Sequence, residues 1–545
     1  MRVLVLEQGP RLEPHEFTGG ELEMAGALYA DDGGFLTAEG TMTLAFGRTY
    51  GGSTAVYTGT SLIAPERVIR GWDVPGLTHA DVRDRSVKYA EQNHARRLED
   101  RWINENNRLF VEGCAKAGYR AEQFPVNVKG CKGSSLCNLG CPNRAKQGTD
   151  VVQLPAAERL GVEVVSRAEV LRIGDRELTV RVASPLAGEK GGASTWAPGE
   201  HRVRAGVVVL AGGAIGSPAL LLRSGLGPRL PRLGEGFTCH PAHILVAEHA
   251  REIENDVGHP KSFYVDRAES EGFVLETCMY FPFVTAKNLT GFGPDHSRLM
   301  RVFPRLQMIL VLACDRATAG NRVTIDRAGN PVVHYRFTAE TVSALARATR
   351  AAAKIFFAAG ALRVHAPTAR PPLIEARDRD HVDARIQESH FLPGKISVSA
   401  AHLMGGCGMG RDASDSVADA WGRVHGIPWL RIGRREPVSR RAADQPVPDD
   451  HGPGRPRGRK SESGARLAPG RDGMTKTSGG KAVVRALEDE GIPFTCGIPG
   501  THNIELYDAL GESERVRPIL VTDEQSASFM ADAVWRSSTW CREPA

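Results

Sequence analysis

Residues 206–227 read Gly-Val-Val-Val-Leu-Ala-Gly-Gly-Ala-Ile-Gly-Ser-Pro-Ala-Leu-Leu-Leu-Arg-Ser-Gly-Leu-Gly. An unbroken β-branched run suits a parallel strand buried on both faces, because an exposed face would alternate apolar with polar residues. The run stops at Gly212-Gly213, and helix signals follow. Ser217 is placed to cap the helix, with Pro218 at its first position, Leu220 to Leu222 packing inward and Gly225 ending it. A buried strand running through a glycine turn into a helix commits the chain to an α/β architecture. With 545 residues, 41% of them apolar, and 60 glycines, there is material for two or three domains.

Charge adds little. The net +5 resides wholly in residues 431–472, where ten arginines and Lys460 face six acids. The remainder is balanced, so no basic face for nucleic acid is implied. No apolar run approaches the ~18 residues of a membrane span. The opening Met1-Arg-Val-Leu-Val-Leu-Glu7 reads as a strand rather than a leader, which favours the cytoplasm.

Three stretches carry candidate chemistry. The first strand ends at Glu7, where a dinucleotide-binding βαβ unit places the acid that holds the adenosine ribose. An ordinary surface glutamate would look the same. No G-x-G-x-x-G phosphate loop precedes it, since only six residues come first. Next, Gly47-Arg48-Thr-Tyr-Gly51-Gly52-Ser53-Thr-Ala-Val-Tyr57-Thr-Gly59 pairs glycines with small hydroxyl residues, so backbone N–H groups can face a flat or anionic ligand. Last, Ser-Val-Ser-Ala-Ala-His402-Leu-Met-Gly-Gly-Cys-Gly-Met-Gly delivers one imidazole into a glycine-rich turn. A single histidine is more often structural than catalytic, and its setting must decide.

The setting resembles the glucose-methanol-choline (GMC) oxidoreductases, FAD enzymes that oxidise alcohols. The segments 47–59, 206–227 and 397–426 follow that family's order. The resemblance implies an incomplete doubly wound (Rossmann-like) FAD domain over 1–234 and an α+β substrate domain with an antiparallel sheet over 235–395. A return segment, 396–432, would bring His402 to the flavin. Glu7, Gly47, Arg48, Gly51, Gly52, Ser53, Tyr57, Gly59, Val170, Ala211, Gly212 and Ser217 would hold FAD, with backbone near Val170 at the adenine. Many relatives have Asn where Tyr57 stands. His402 would take or orient the hydroxyl proton, and His425 would be structural. The substrate would be an apolar alcohol or a sterol; O2 or another acceptor would reoxidise the flavin. Leu233 to Pro241, including His240, would be the crossing between domains.

Elsewhere, 81–118 reads as helical, with Leu98, Trp102, Leu109, Phe110 and Cys114 as core. A long helix is expected from Ala339 to about Ala359, and strands are expected over 161–166, 168–173 and 305–312. Cys131, Cys137 and Cys141 form C-x5-C-x3-C, which lacks the paired C-x2-C of a zinc ribbon. A local turn or a disulfide is the reading, with no metal.

After Ile432 the text changes. Residues 433–473 are Arg, Pro, Gly and Asp without periodicity: a disordered linker, or a shifted reading frame. Residues 474–545 form a short α/β fragment that resembles the start of the N-terminal domain of thiamine-diphosphate enzymes. There Glu524 would bind the aminopyrimidine. The fragment lacks the domain for Mg²⁺ and diphosphate, so no thiamine chemistry is expected. The alternatives to an alcohol oxidoreductase are therefore a carboligase or decarboxylase fragment, or an inactive fusion of two neighbouring genes. The codons for Gly433 to Arg459, read one base later, are expected to spell ADASLFPAALRTNPYLTIMALADRVA, which supplies the family's Asn-Pro. Sequencing that DNA checks it, and any other string overturns the frame-shift reading.

Overall fold

The computed structural model describes residues 1–289, 293–368, 373–433, 479–489, 491–497 and 504–520. It divides into two compact units, Met1–Asp449 and Asp450–Ala545.

In the first unit the strand expected at the N-terminus is β1 (Leu4–Leu6). The helical reading of 81–118 needs correction: it is two helices, His79–Gln92 and α1 (Glu105–Ala117). Asn93 and His94 interrupt it, His94 in the left-handed region at φ 54°. Ala95–Arg97 then pairs antiparallel with Pro125–Asn127. Strand pairing there wins over a weak local helix preference. The core expectation held better: Leu98, Leu109, Phe110 and Cys114 are buried, and Trp102 packs partly buried.

β1 pairs in parallel with β2 (Glu163–Val165), Leu4 opposite Glu163 and Leu6 opposite Val165. The strand of 206–227 is β3 (Val208–Leu210), with Val208 and Leu210 buried but Val207 and Val209 exposed, so it is not covered on both faces as expected; α2 (Gly213–Arg223) follows it. Here too the expectation shifts. Gly212 stands at the N-cap, so Ser217 and Pro218 lie inside the helix, both buried. Gly225 does end the turn, at φ 77°.

The 242–395 segment supplies most of a ten-stranded sheet. At its centre lie β4 (Ala242–Glu248), β5 (Phe273–Thr277) and β6 (Leu306–Ala313), with β6 antiparallel to both others. Every residue of β4 and β6 is buried. Strand periodicity sorts them: Leu245, Ala247, Ile309 and Val311 share one cluster, while Ile244, Val246, Met308 and Leu310 share another. The first cluster packs under α3 (Ala339–Ala358), whose buried face is mostly alanine. Small side chains allow that helix to sit close, and α1 closes on it at Gly113.

The chain returns through Ser399–Ala400, which joins the same sheet beside Thr43–Leu44. Further on lies β7 (Leu430–Ile432), parallel to β3 with Val208 opposite Leu430. Apart from the parallel Thr43–Leu44 and Ser399–Ala400 contact within the large sheet, the described parallel strands of the first unit form two separate pairs, β1 with β2 and β3 with β7. Both contribute to one apolar cluster. Among the described strands nothing pairs the other edge of β1 or of β3, and Val209 on β3 is 59% exposed.

Among the described residues the second unit has two helices, Gly479–Asp489 and Ile504–Gly511, and a parallel pair, Phe494–Gly497 with Arg517–Leu520. Glu524 and most of 433–473 lie outside the described residues.

A Cβ on Gly113 would press onto the Ile355 carbonyl across the α1–α3 contact. Gly113→Val is therefore expected to cost on the order of 1–3 kcal/mol, read as a lowered midpoint in urea denaturation; an unchanged midpoint would show the two helices are free to separate.

Candidate functional site

His402 reaches its place through backbone pairing. Thr43 N donates to the Val398 carbonyl at 3.1 Å and Ala45 N to that of Ala400 at 2.9 Å, so the chain entering the 47–59 segment runs beside the chain entering 402. Two residues past the histidine, Met404 and Thr238 exchange both backbone hydrogen bonds, 2.9 and 3.1 Å. That crossing lines up His240 with His402. Gly405 makes it possible: at φ 85° it lies so close to Gly236 that any Cβ would fall on the Gly236 carbonyl. Gly406 in turn packs against Ala214 and Pro218 of α2.

The two imidazoles meet edge to edge with their planes crossed at 88° and Nδ1 to Nδ1 at 2.9 Å. His402 is an exposed residue, although other parts of the chain crowd around it. Burial lowers the imidazole below its ordinary value; the charge of Glu276 opposes this and that of Lys261 adds to it. Burial, with His402 alongside, pushes His240 down to about 4. Both rings are neutral at pH 7. Glu276 lies on β5, and its Nζ partner Lys261 is 2.5 Å away, both side chains about 10% exposed or less. Burial works to raise the Glu276 carboxyl, but Lys261 beside it holds it below the usual range. The site thus has a neutral base on an exposed residue, a second ring on its Nδ1, and an ionised carboxylate nearby.

His240, Lys261 and Glu276 were missed as site residues in the sequence. The Cys-His240-Pro string suggested only a domain crossing, and no local signal distinguishes Lys261 or Glu276. His425 donates to or accepts from Ser416 Oγ at 2.9 Å, which fits the structural role expected of it.

The other expected residues fall into three groups. Glu7 ends β1 and accepts from Gly9 N at 2.7 Å. Gly9 lies against the Arg48 carbonyl, and Arg48 lends its charge to Glu7. Burial nevertheless lifts the Glu7 carboxyl to about 7, the Gly9 hydrogen bond and Arg48 opposing. Gly47, Gly51, Gly52 and Ser53 make one tight turn, closed by Gly47 N donating to Ser53 Oγ at 3.0 Å. Tyr57 and Gly59 follow, with Gly59 seated against Asn127. Ala211 and Gly212 are exposed at the start of α2, while Ser217 is buried within it. The Val170 carbonyl accepts from Arg223 at the far end of α2, 2.9 Å.

Cys131, Cys137 and Cys141 are all free thiols, so the disulfide reading is withdrawn. They line one small cavity with Lys146. Lys146 is buried and donates to the carbonyls of Ala55, Tyr57 and Cys137 at 2.8, 2.8 and 2.6 Å. This loop is a turn that anchors the Tyr57 segment through one lysine. Among the described residues no group of three or more His, Cys, Asp or Glu is arranged to hold a metal ion.

Residues 25–242 match the N-terminal domain of the GMC oxidoreductases and residues 317–433 match the C-terminal domain. The chain belongs to the GMC oxidoreductases. An uncharacterized GMC-type oxidoreductase of Mycobacterium tuberculosis is 30% identical over 436 residues, 78% of this chain and 66% of that one. A long-chain-alcohol oxidase of Arabidopsis thaliana is 24% identical over 463 residues, 77% of this chain and 58% of that one. This GMC chain therefore spans 66% and 58% of these relatives' lengths. In fold it is similar to a formate oxidase of Aspergillus oryzae, with TM-score 0.55 and 14% identity over 81% of this chain and 90% of the other. Residues 477–540 match the N-terminal TPP-binding domain of thiamine pyrophosphate enzymes. Over 65 residues they are 42% identical to the acetolactate synthase large subunit of Haemophilus influenzae, but that covers only 11% of it.

FAD is the cofactor this family implies, and the residues present fit two parts of it. Gly52 at φ 56° and Gly213 at φ 72° both open onto free space, which a side chain would fill. The N-terminus of α2 is exposed and has no side-chain cap, so its N–H groups are available to an acceptor. Glu7 offers a carboxylate for a ribose. The described residues hold no G-x-G-x-x-G loop for the pyrophosphate.

Raised to about 7 in the folded chain, the Glu7 carboxyl binds more protons there than when unfolded, so it makes stability fall as pH rises from about 4.5 to 7. Glu7→Gln removes this dependence. Its melting temperature relative to the parent is expected to climb across that pH window; a constant difference would show that Glu7 titrates normally.

Proposed function

We propose that this chain is an FAD-dependent oxidoreductase that oxidises the CH–OH group of an alcohol. The observation that carries the reading is His402 itself: an exposed residue with a neutral imidazole whose Nδ1 is engaged by His240. A substrate hydroxyl reaching its Nε2 meets a base that is already unprotonated. Taking the hydroxyl proton makes the adjacent carbon a better hydride donor. FAD, when bound, supplies the hydride acceptor. Glu7 would hold the ribose, the 47–53 turn and the start of α2 would lie along the cofactor, and the backbone at Val170 would lie near the adenine.

An apolar long-chain alcohol is the substrate class we favour over a small polar one. The support is the similarity to long-chain-alcohol oxidases, over part of their length. The domain roles follow: 1–234 and 396–432 for the cofactor, 235–395 for the substrate. No helix among the described residues is long and apolar enough to cross a membrane. The eight described cysteines are all free, which supports a reducing, cytoplasmic setting.

Purified protein reconstituted with FAD should be yellow and should bleach anaerobically on adding a fatty alcohol. His402→Ala should slow that bleaching by about 10²–10⁴-fold while FAD binding, followed by flavin fluorescence, is unchanged. A variant as fast as the parent would remove His402 from the chemistry, and a parent that bleaches with no alcohol would defeat the reading.

A further inference from the structure

The hydrogen bond between the two histidines constrains where their protons lie. At 2.9 Å, the Nδ1–Nδ1 axis holds one proton when both rings are neutral. Two protons would collide, and two lone pairs would repel. One arrangement has His240 donating. His402 then carries its remaining proton on Nε2 and cannot accept another there. In the other arrangement His402 donates from Nδ1, its Nε2 is bare, and His240 carries its own proton on Nε2.

We propose that His240 is a positioning residue: by accepting the Nδ1 proton of His402 it fixes the tautomer whose Nε2 is free to act as base. The inference rests on the alcohol-oxidising role given to His402. Among the described residues no other hydrogen bond to His402 Nδ1 competes for that proton. Ring centroids 5.1 Å apart with the two Nδ1 atoms at 2.9 Å set the rings edge to edge rather than stacked, so an in-plane N–H can meet an in-plane lone pair. Charge supports the next step. When the substrate O–H breaks and its proton passes to Nε2, His402 becomes an imidazolium with both nitrogens protonated. Its Nδ1–H still donates to His240. Glu276, kept ionised by Lys261, acts electrostatically on both rings and offsets the new positive charge. The assembly works as a base, an orienting acceptor and a compensating charge, each from a different part of the chain.

Two substitutions separate this from a packing role. His240→Gln keeps a carbonyl oxygen able to accept from His402 Nδ1, and His240→Leu does not. Nitrogen-15 NMR of histidine-labelled protein should show His402 as the Nδ1–H tautomer in the parent and in His240→Gln, and as the Nε2–H form or a mixture in His240→Leu. With a fatty alcohol, His240→Leu should lose about 10²-fold in kcat with little change in KM, and His240→Gln should recover most of it. A parent spectrum showing His402 as Nε2–H overturns the proposal, whether or not alcohols are oxidised. So does a folded His240→Leu protein that keeps the Nδ1–H form. The tautomer spectrum thus judges this inference, while flavin bleaching judges the function.

Discussion

The reciprocal hydrogen bonds between Thr238 and Met404 are the constraint on which the site depends. These residues are far apart in sequence, and their two segments join different parts of the fold. One leads from the parallel strands into the large sheet; the other leads back. Tying them together sets His240 beside His402 and seats Gly405 on Gly236, with Gly406 on α2. Van der Waals exclusion does the rest, because no side chain at 405 could be accommodated without moving the backbone of Gly236.

The large sheet gives this crossing a rigid base. Because β4 and β6 are buried on both faces, their residues sort by parity into two apolar layers. One layer carries α3, and the other leaves the opposite side of the sheet to other segments. Glu276 alternates with Phe273 and Leu275 along β5, so its carboxylate lies on the face away from α3. An ion pair this buried is costly unless well matched. Lys261 at 2.5 Å provides the match, and the pair becomes a fixed source of charge next to two neutral imidazoles.

Much of this was legible in the sequence, for identifiable reasons. The 206–227 run announced a strand, a glycine turn and a helix, because each leaves a distinct pattern; the helix start moved from Ser217 to Gly213, and the strand is buried on one face rather than two. The long helix from Ala339 and the strand near 306–313 fell where their patterns put them. The 81–118 segment failed because its amphipathic pattern continues across Asn93 and His94, while Ala95–Arg97 is claimed by Pro125–Asn127. Pairing with a distant strand leaves no mark on local periodicity. The cysteine loop failed for a related reason: its anchor is Lys146, whose three carbonyl partners come from backbone that no residue pattern reveals.

By itself, then, the sequence determined the α/β class, the family resemblance, the glycine turns and the single imidazole at 402, since these follow from side-chain type and short-range spacing. Tertiary structure alone decided that His402 has a ring partner, that Glu276 and Lys261 supply charge to it, and that among the described strands β1 and β3 each pair on one edge. Those outcomes depend on hydrogen bonds and electrostatic contacts between residues tens to hundreds of positions apart, and spacing along a chain does not encode distance across a fold.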